Sequence, residues 1–189
     1  MMIIGLTGRN GSGKSTVGGM LKQNGFAFFS LSDILRDELR KQGKDMTRQN
    51  LIDKGNELRE KHGPGVLGRL AVAFMGQQEG KDFAIDSIRN PIEIEELRKS
   101  RDFFLIGVSA PPDVRLARLK ANGRAEHLKT PQDLLDMEAK ENTSNSNFQQ
   151  LDNCFALRDF EIENTEALGD VRIRLDSILD KINKMKKVD

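Results

Sequence analysis

Tryptophan and tyrosine are absent from this 189-residue chain, and cysteine occurs once, as Cys154. One cysteine excludes an internal disulfide and suits a reducing compartment. Having no catalytic partner pattern, Cys154 reads as a small buried residue. Without Trp or Tyr, any flat ring held by stacking must meet Phe, His or the plane of an Arg. The two histidines, His62 and His127, are too isolated for a metal site, and one cysteine cannot build a zinc cluster. No charge of one sign dominates: Lys plus Arg is 30, Asp plus Glu is 29, and the formal net charge is +1. That balance gives no basic face for wholesale nucleic-acid binding. No apolar run approaches the ~20 residues of a membrane span. The run Met1 to Leu6 is too short, and lacks the basic start, for a signal peptide. A soluble cytoplasmic protein is expected, without nucleic-acid or membrane partners; nothing in the composition speaks to oligomeric state.

What the chain does contain is an alternation of short apolar runs and longer helical patterns, the signature of an α/β domain with a mostly parallel sheet. The candidate strands are "MIIGLT", "FAFFS", "FAID", "FFLIGVS" and "FEIEN". The first four are continuous apolar runs, as expected of strands covered on both faces. "FEIEN" alternates and fits an edge. Val17, Met20 and Leu21 stripe a first helix that Gly25 would end. Thr47 is a candidate N-cap for a helix carrying Leu51, Ile52, Gly55 and Leu58. Pro64 and Pro91 can each open a helix, "PPDVRLARLKANG" is another, and the last runs from about Glu166 to Lys187. Residues 1–189 are expected to form a single domain. Two stretches exceed a minimal alternating sheet: about 30–80 reads as a helical insertion, and about 119–150, polar and containing "NTSNSN", as a flap or lid.

The informative segment is "IIGLTGRNGSGKSTVGGML", residues 3 to 21. Gly8, four residues, Gly13, Lys14 and Ser15 follow an apolar strand and open an amphipathic helix, the context that a phosphate-binding loop requires. Glycines let backbone N–H groups turn around an anion, and the helix beginning near Lys14 aims its positive end at the same point. Lys14 would neutralise the outer phosphates, and the Ser15 hydroxyl would ligate Mg²⁺. A mere glycine-rich turn would not need a lysine and a serine in fixed register after the last glycine. The expected ligand is ATP, contacted by Gly8, Arg9, Asn10, Gly11, Ser12, Gly13, Lys14, Ser15 and Thr16. The loop alone does not separate a kinase from a GTPase, a motor or a regulatory ATPase.

The segments that follow carry a resemblance. "SLSDILRDELR" after the second strand resembles the acceptor-binding segment of adenylate kinases and other nucleoside monophosphate kinases, and "IDSIRNP" resembles their strand ending in Asp with an Arg soon after. With "TRQNLIDKGNELREKHGPGVLGRLA" and "IEELRKSRDFFLIGVSAPPDVRLAR", the chain is similar to microbial P-loop kinases related to adenylate and dephospho-coenzyme A kinases. It is also similar to the kinase-like N-terminal part of some deoxycytidylate deaminases. The resemblance covers nearly the whole chain and implies a P-loop three-layer αβα fold with a parallel five-stranded sheet. It implies transfer of the γ-phosphate of Mg·ATP to a nucleoside or deoxynucleoside monophosphate. Arg36 and Arg89 would hold the acceptor phosphate, since an Arg fork pairs with phosphate oxygens in two directions at once. Asp33 would receive a base or sugar group, or orient Arg36; the plainer reading is a helix N-terminal charge beside a solvated arginine. Asp86 would reach a water on Mg²⁺. Arg118 and Arg124, with Arg115, resemble the lid arginines that stabilise the transferred phosphoryl group; Arg158 is a weaker candidate.

Two alternatives stand beside that reading. Dephospho-coenzyme A kinases begin similarly and phosphorylate a ribose hydroxyl, which benefits from a carboxylate base. They carry an Asp-x-Asp pair after the second strand, whereas Leu31 stands in the first place here and the step from Asp33 to Arg36 is three. "LRDFEIEN", similar to A-D-x-x-I-x-N, fits both kinase types. The other alternative is a nucleotide-regulated binding module, which would not need two arginines directed at a second anion.

Overall fold

The computed structural model describes residues 1–78, 80–100, 102–141, 145, 148–165 and 168–186. Five strands, β1 (Ile3–Thr7), β2 (Ala27–Ser30), β3 (Phe83–Asp86), β4 (Phe103–Ser109) and β5 (Phe160–Glu163), form one sheet in the order β2-β3-β1-β4-β5. All pairings are parallel. The five expected strands are all present, and the parallel α/β architecture is the expected one.

Alternation along the strands feeds two cores. Ile3, Phe83, Ile85, Phe103 and Leu105 point to one face. There they meet Leu31 and Leu35 of α2 (Leu31–Lys41), Val66, Leu67, Ala71 and Met75 of α4 (Val66–Gly76), and Ile94 and Leu97 of α5 (Pro91–Arg98). Ile4, Leu6, Ala84, Ile106 and Val108 point to the other face. Their partners are Val17 and Leu21 of α1 (Lys14–Gln23) and Val171, Leu175, Ile178 and Ile182 of α9 (Leu168–Lys186). The expected ends of that last helix, Glu166 and Lys187, lie outside the described residues. β5 is an edge strand, with Ile162 buried between exposed Glu161 and Glu163. β2 forms the other edge: its four residues are all half-buried, so "FAFFS" is covered less fully than a continuous apolar run suggests.

Residues 30–80 fold as α2, α3 (Arg48–His62) and α4. Thr47 caps α3 as expected, accepting from Asn50 N at 3.2 Å. The buried face of α3 is nevertheless Lys54, Gly55 and Arg59 rather than an aliphatic stripe. After α6 (Pro112–Ala121), the polar flap holds α7 (Pro131–Glu141). It also holds a small core of its own, in which Leu116 and Leu119 of α6 meet Ala125, Leu128 and Leu134. Of "NTSNSN" only Asn145 is among the described residues. A short α8 (Leu151–Ala156) precedes β5.

This topology fixes where a ligand can sit. β1 lies between β3 and β4, so connections leave it toward both sides of the sheet, and the crevice beyond its carboxyl end is the switch point where open α/β sheets bind ligands. The glycine loop occupies that position.

Candidate active site

The loop between β1 and α1 is held by its carbonyls. Lys14 Nζ donates to Gly8 O at 2.8 Å and to Arg9 O at 3.2 Å. Arg115 Nη1 donates to Asn10 O at 3.3 Å, and Asn164 Nδ2 to Ser12 O at 2.8 Å. Arg118 Nη1 makes a longer contact to Gly11 O at 3.4 Å. With these carbonyls engaged, the amides of Gly11, Gly13, Lys14 and Ser15 have no acceptor among the described residues. Such a nest, at the start of a helix, is an anion site. Three glycines are obligatory in it, among them Gly11, with φ 78° and a Cβ that would lie 2.7 Å from Arg115 O. Gly8 has φ 137° and a Cβ there would lie 2.1 Å from Val108 O. Gly13 has φ 100° and a Cβ there would lie 1.9 Å from Asn164 Nδ2. Two buried side-chain atoms of the loop, Asn10 Nδ2 and Ser12 Oγ, lack a hydrogen-bond partner among the described residues. The loop therefore fits a polyphosphate.

Lys14 is the cation of the nest. Removal from water pushes its pKa down from 10.5 to about 8; the Asp86 carboxylate opposes the shift and the Arg89 guanidinium adds to it. Asp86 ends β3 in register with Ser30 of β2. Its Oδ1 accepts from Ser87 N at 2.6 Å, where Ser87 turns the chain with φ 66°. Ser87 Oγ and Ser30 Oγ are 2.8 Å apart. Ser15 and Asp86 line the same cavity. One hydroxyl and one carboxylate are hard oxygen donors that suit Mg²⁺ completed by water and phosphate oxygens. No cluster of three or more His, Cys, Asp or Glu ligands occurs among the described residues, so nothing there resembles an all-protein metal cage.

A cavity of about 900 Å³ runs from the loop to α2 and α3. Its wall also carries Arg36, Arg48, Arg59 and Arg89 beside Leu35, Leu51 and Ile52. Asp33 is the third helical residue of α2 and closes a capping box: its Oδ2 accepts from Ser30 N at 3.0 Å. Its Oδ1 accepts from Arg36 Nη1 at 2.6 Å, in an exposed i,i+3 pair. Arg89 Nη1 donates to Gln149 Oε1 at 2.9 Å. The arginines of this wall are thus gathered around one space from α2, α3 and the loop after β3.

The lid arginines divide. Arg118 lines the cavity, and its Nη2 donates to Asn164 O at 3.1 Å and Oδ1 at 3.2 Å. Arg124 lines the cavity with no side-chain partner among the described residues. Arg115 is buried and ion-paired to Glu138 of α7, away from the cavity. The Arg9 side chain likewise leaves the cavity, bonding Glu138 Oε2 at 3.1 Å and Asp152 Oδ1 at 2.6 Å. Arg158 pairs with Glu161 at the far edge, its guanidinium 4.3 Å from the Phe155 ring centroid. Cys154 is fully buried and its thiol is pushed far up by burial, which makes it inert.

Arg48, Arg59, Glu93, Gln149 and Glu138 were not among the residues singled out from the sequence. Arg59 donates through Nε at 3.1 Å and Nη2 at 2.7 Å to Glu93 Oε1, with both side chains buried. Glu93 Oε2 accepts from Arg89 N at 3.0 Å and Asn90 N at 3.1 Å. The backbone that carries Arg89 is therefore fixed from α3. Only Asn164 had a signal in the sequence, as the closing residue of the A-D-x-x-I-x-N-like pattern.

A glycine loop of this geometry, at the switch point of a five-stranded parallel sheet flanked by a helical insertion and a lid, defines the P-loop kinase fold. The profile of the AAA domain family matches residues 4–152. A UPF0200 protein of Sulfurisphaera tokodaii is 30% identical over 180 residues, covering 95% of this chain and 97% of that protein. Another, from Pyrococcus abyssi, is 31% identical over 186 residues, covering 96% and 97%. The chain belongs to the AAA domain family and to the UPF0200 family. Among solved structures, shikimate kinase from Acinetobacter baumannii in complex with shikimate aligns with a TM-score of 0.58 at 18% identity, covering 98% of this chain and 95% of that one. TT1252 from Thermus thermophilus gives 0.61 at 21%, covering 95% and 97%. A gluconokinase from Sinorhizobium meliloti 1021 gives 0.56 at 13%, covering 99% and 96%. At these identities the likeness is one of fold.

Proposed function

We propose that this protein is an ATP-dependent phosphotransferase whose acceptor is a small phosphorylated molecule, most simply a nucleoside or deoxynucleoside monophosphate. What supports the reading is a single cavity lined both by the main-chain anion nest and by Arg36 and Arg89. In this reading the bond from the terminal phosphorus to the bridging oxygen breaks, and one forms to an oxygen of the acceptor phosphate. That oxygen is already ionised, since the second pKa of such a phosphate is ~6, and no general base is required. Lys14 and the loop amides hold the outer phosphates of the donor. Arg118 and Arg124 supply charge to the equatorial oxygens of the transferred group. Ser15 and, through water, Asp86 would hold a Mg²⁺ ion, whose contribution is charge neutralisation on those phosphates. Arg36 exchanges Asp33 for the acceptor phosphate, and the helices of residues 30–80 and the lid keep competing water from the phosphorus.

A hydroxyl acceptor is the second reading, favoured by Asp33 in the cavity wall and by solved neighbours that are a shikimate kinase and a gluconokinase. Against it, both Asp33 oxygens are already engaged, which disposes that carboxylate poorly to take a proton. The deciding experiment is coupled ADP release with Mg·ATP and a panel of nucleoside monophosphates, their deoxy counterparts, dephospho-coenzyme A, shikimate and gluconate. Stimulation by a monophosphate is the expected result. Stimulation by a hydroxyl acceptor instead would transfer the assignment to the second reading. Slow hydrolysis indifferent to every acceptor would leave a nucleotide-regulated binding module.

A further inference from the structure

Glu138 has no role in the reaction as just described, yet it is one of the most deeply buried charges in the protein. Its side chain is 1% exposed and lies on α7, a helix of the polar flap. A buried carboxylate is costly unless it is fully paired. Glu138 is paired twice: Oε1 accepts from Arg115 Nη1 and Oε2 from Arg9 Nη1. Both arginines act on the nucleotide loop. Arg9 is a loop residue whose own carbonyl receives the Lys14 ammonium, and Arg115 donates to the next carbonyl, that of Asn10. Arg115 is fixed further by Nε donating to Ala110 O at 3.1 Å. One carboxylate on the flap thus sets two consecutive residues of the loop from behind.

We propose that Glu138 is a positioning residue of the donor site, and that through Arg9 and Arg115 it makes the flap helix and the nucleotide loop a single binding unit. A cluster that served stability alone could sit anywhere in the core. This one ends on the side chain of Arg9 and, through Arg115, on the carbonyl of Asn10, the two residues that immediately precede the amides presented to the phosphates. Asp152 of α8 takes the other face of Arg9, at 2.6 and 2.8 Å, but its side chain is 53% exposed, so it is the weaker of the two anchors. Coupling is reciprocal: if α7 holds the loop for the nucleotide, a bound nucleotide must hold α7. The inference rests on the reading that the loop binds a nucleoside polyphosphate.

The test uses the full chain and Mg·ADP as probe, with titration calorimetry for affinity and amide hydrogen exchange across residues 131–141. In the wild type, Mg·ADP should slow exchange in α7. Glu138→Gln should weaken Mg·ADP roughly tenfold or more, and α7 should lose its nucleotide-dependent protection. Asp152→Asn should do the same more weakly. Arg9→Gln, at a partly exposed position, reports the same coupling should Glu138→Gln fail to fold. Lys14→Ala separates the two levels of the argument. If the wild type does not bind Mg·ADP, or binds it equally well without Lys14, the reading of the loop itself falls and the proposal with it. If Lys14→Ala abolishes binding while the Glu138 and Arg9 variants bind as the wild type does, or α7 protection is unchanged in them, the positioning role is overturned and the loop reading stands.

Discussion

The two ends of the cavity are built in opposite ways. The end proposed for the donor is main chain: one contiguous segment supplies the amides, and the side chains of Lys14 in α1, Arg115 in α6 and Asn164 just after β5 hold the loop carbonyls. The end proposed for the acceptor is side chain: guanidinium groups arrive from α2, α3 and the loop after β3, with Arg36 bonded to Asp33 and Arg89 to Gln149. The first construction is stiff and generic, since any polyphosphate satisfies it. The second is adjustable. Exposed i,i+3 pairs such as Asp33–Arg36 contribute about 0–1 kcal/mol, so Arg36 can leave its partner for an incoming phosphate at little cost. What the acceptor end does fix is the Arg59–Glu93 relay, which orders the backbone at Arg89 from inside the core.

That relay offers the largest effect. Arg59→Ala would strand the buried Glu93 carboxylate without its cation, a loss of about 3–5 kcal/mol, read as a shift in the denaturant midpoint. A stability change below about 1 kcal/mol would show that the acceptor end does not depend on a core element. Next is Lys14→Ala, which should lower phosphoryl transfer by about 10²–10³-fold with little change in acceptor affinity. Equal damage to both substrates would dissolve the distinction between the two ends. Arg36→Ala and Arg89→Ala should each cost about 1.5–3 kcal/mol, roughly 10- to 150-fold, in acceptor KM. Nucleotide affinity should be spared in both. If nucleotide affinity falls in parallel, those arginines serve the fold rather than an acceptor.

The same contrast explains what could be read in advance. The donor loop was legible because a main-chain nest needs its glycines, lysine and serine within one short segment, so spacing alone reveals it. The strands were legible because burial on both faces leaves runs such as "FFLIGVS". Of the arginine-bearing wall, the sequence singled out Asp33, Arg36 and Arg89, which follow β2 and β3, and all three line the cavity. Arg59 was hidden because periodicity ranks helix faces by apolar residues, and α3 turns Lys54, Gly55 and Arg59 inward instead. Glu138 was hidden for the same reason, in a segment polar enough to read as a solvated flap. Arg9 and Arg115 carried a functional appearance in the sequence because a guanidinium near a phosphate loop looks alike whether it meets phosphate or a buried carboxylate. Only the tertiary partner distinguishes them.

The smallest predicted effect is a difference in pH response between the two ends. Burial beneath the loop lowers the Lys14 pKa from 10.5 to about 8, with Asp86 and Glu138 opposing and Arg89 and Arg115 reinforcing the shift. In the unfolded chain that lysine keeps its proton up to its ordinary pKa, so between about pH 8 and 10.5 the unfolded state binds more protons than the folded one. The free protein should therefore gain stability from this group as pH rises through that window. A polyanion in the nest favours the ammonium and raises its pKa again. Nucleotide binding should accordingly take up part of a proton just above pH 8, and affinity should decline as pH rises further. Guanidinium groups do not titrate in this range, so acceptor KM should stay flat over the same interval. Calorimetry in two buffers of different ionisation enthalpy measures the uptake directly. No uptake just above pH 8 would mean that the empty loop already keeps Lys14 charged, and a parallel decline in acceptor binding would mean that the two ends share one titrating group.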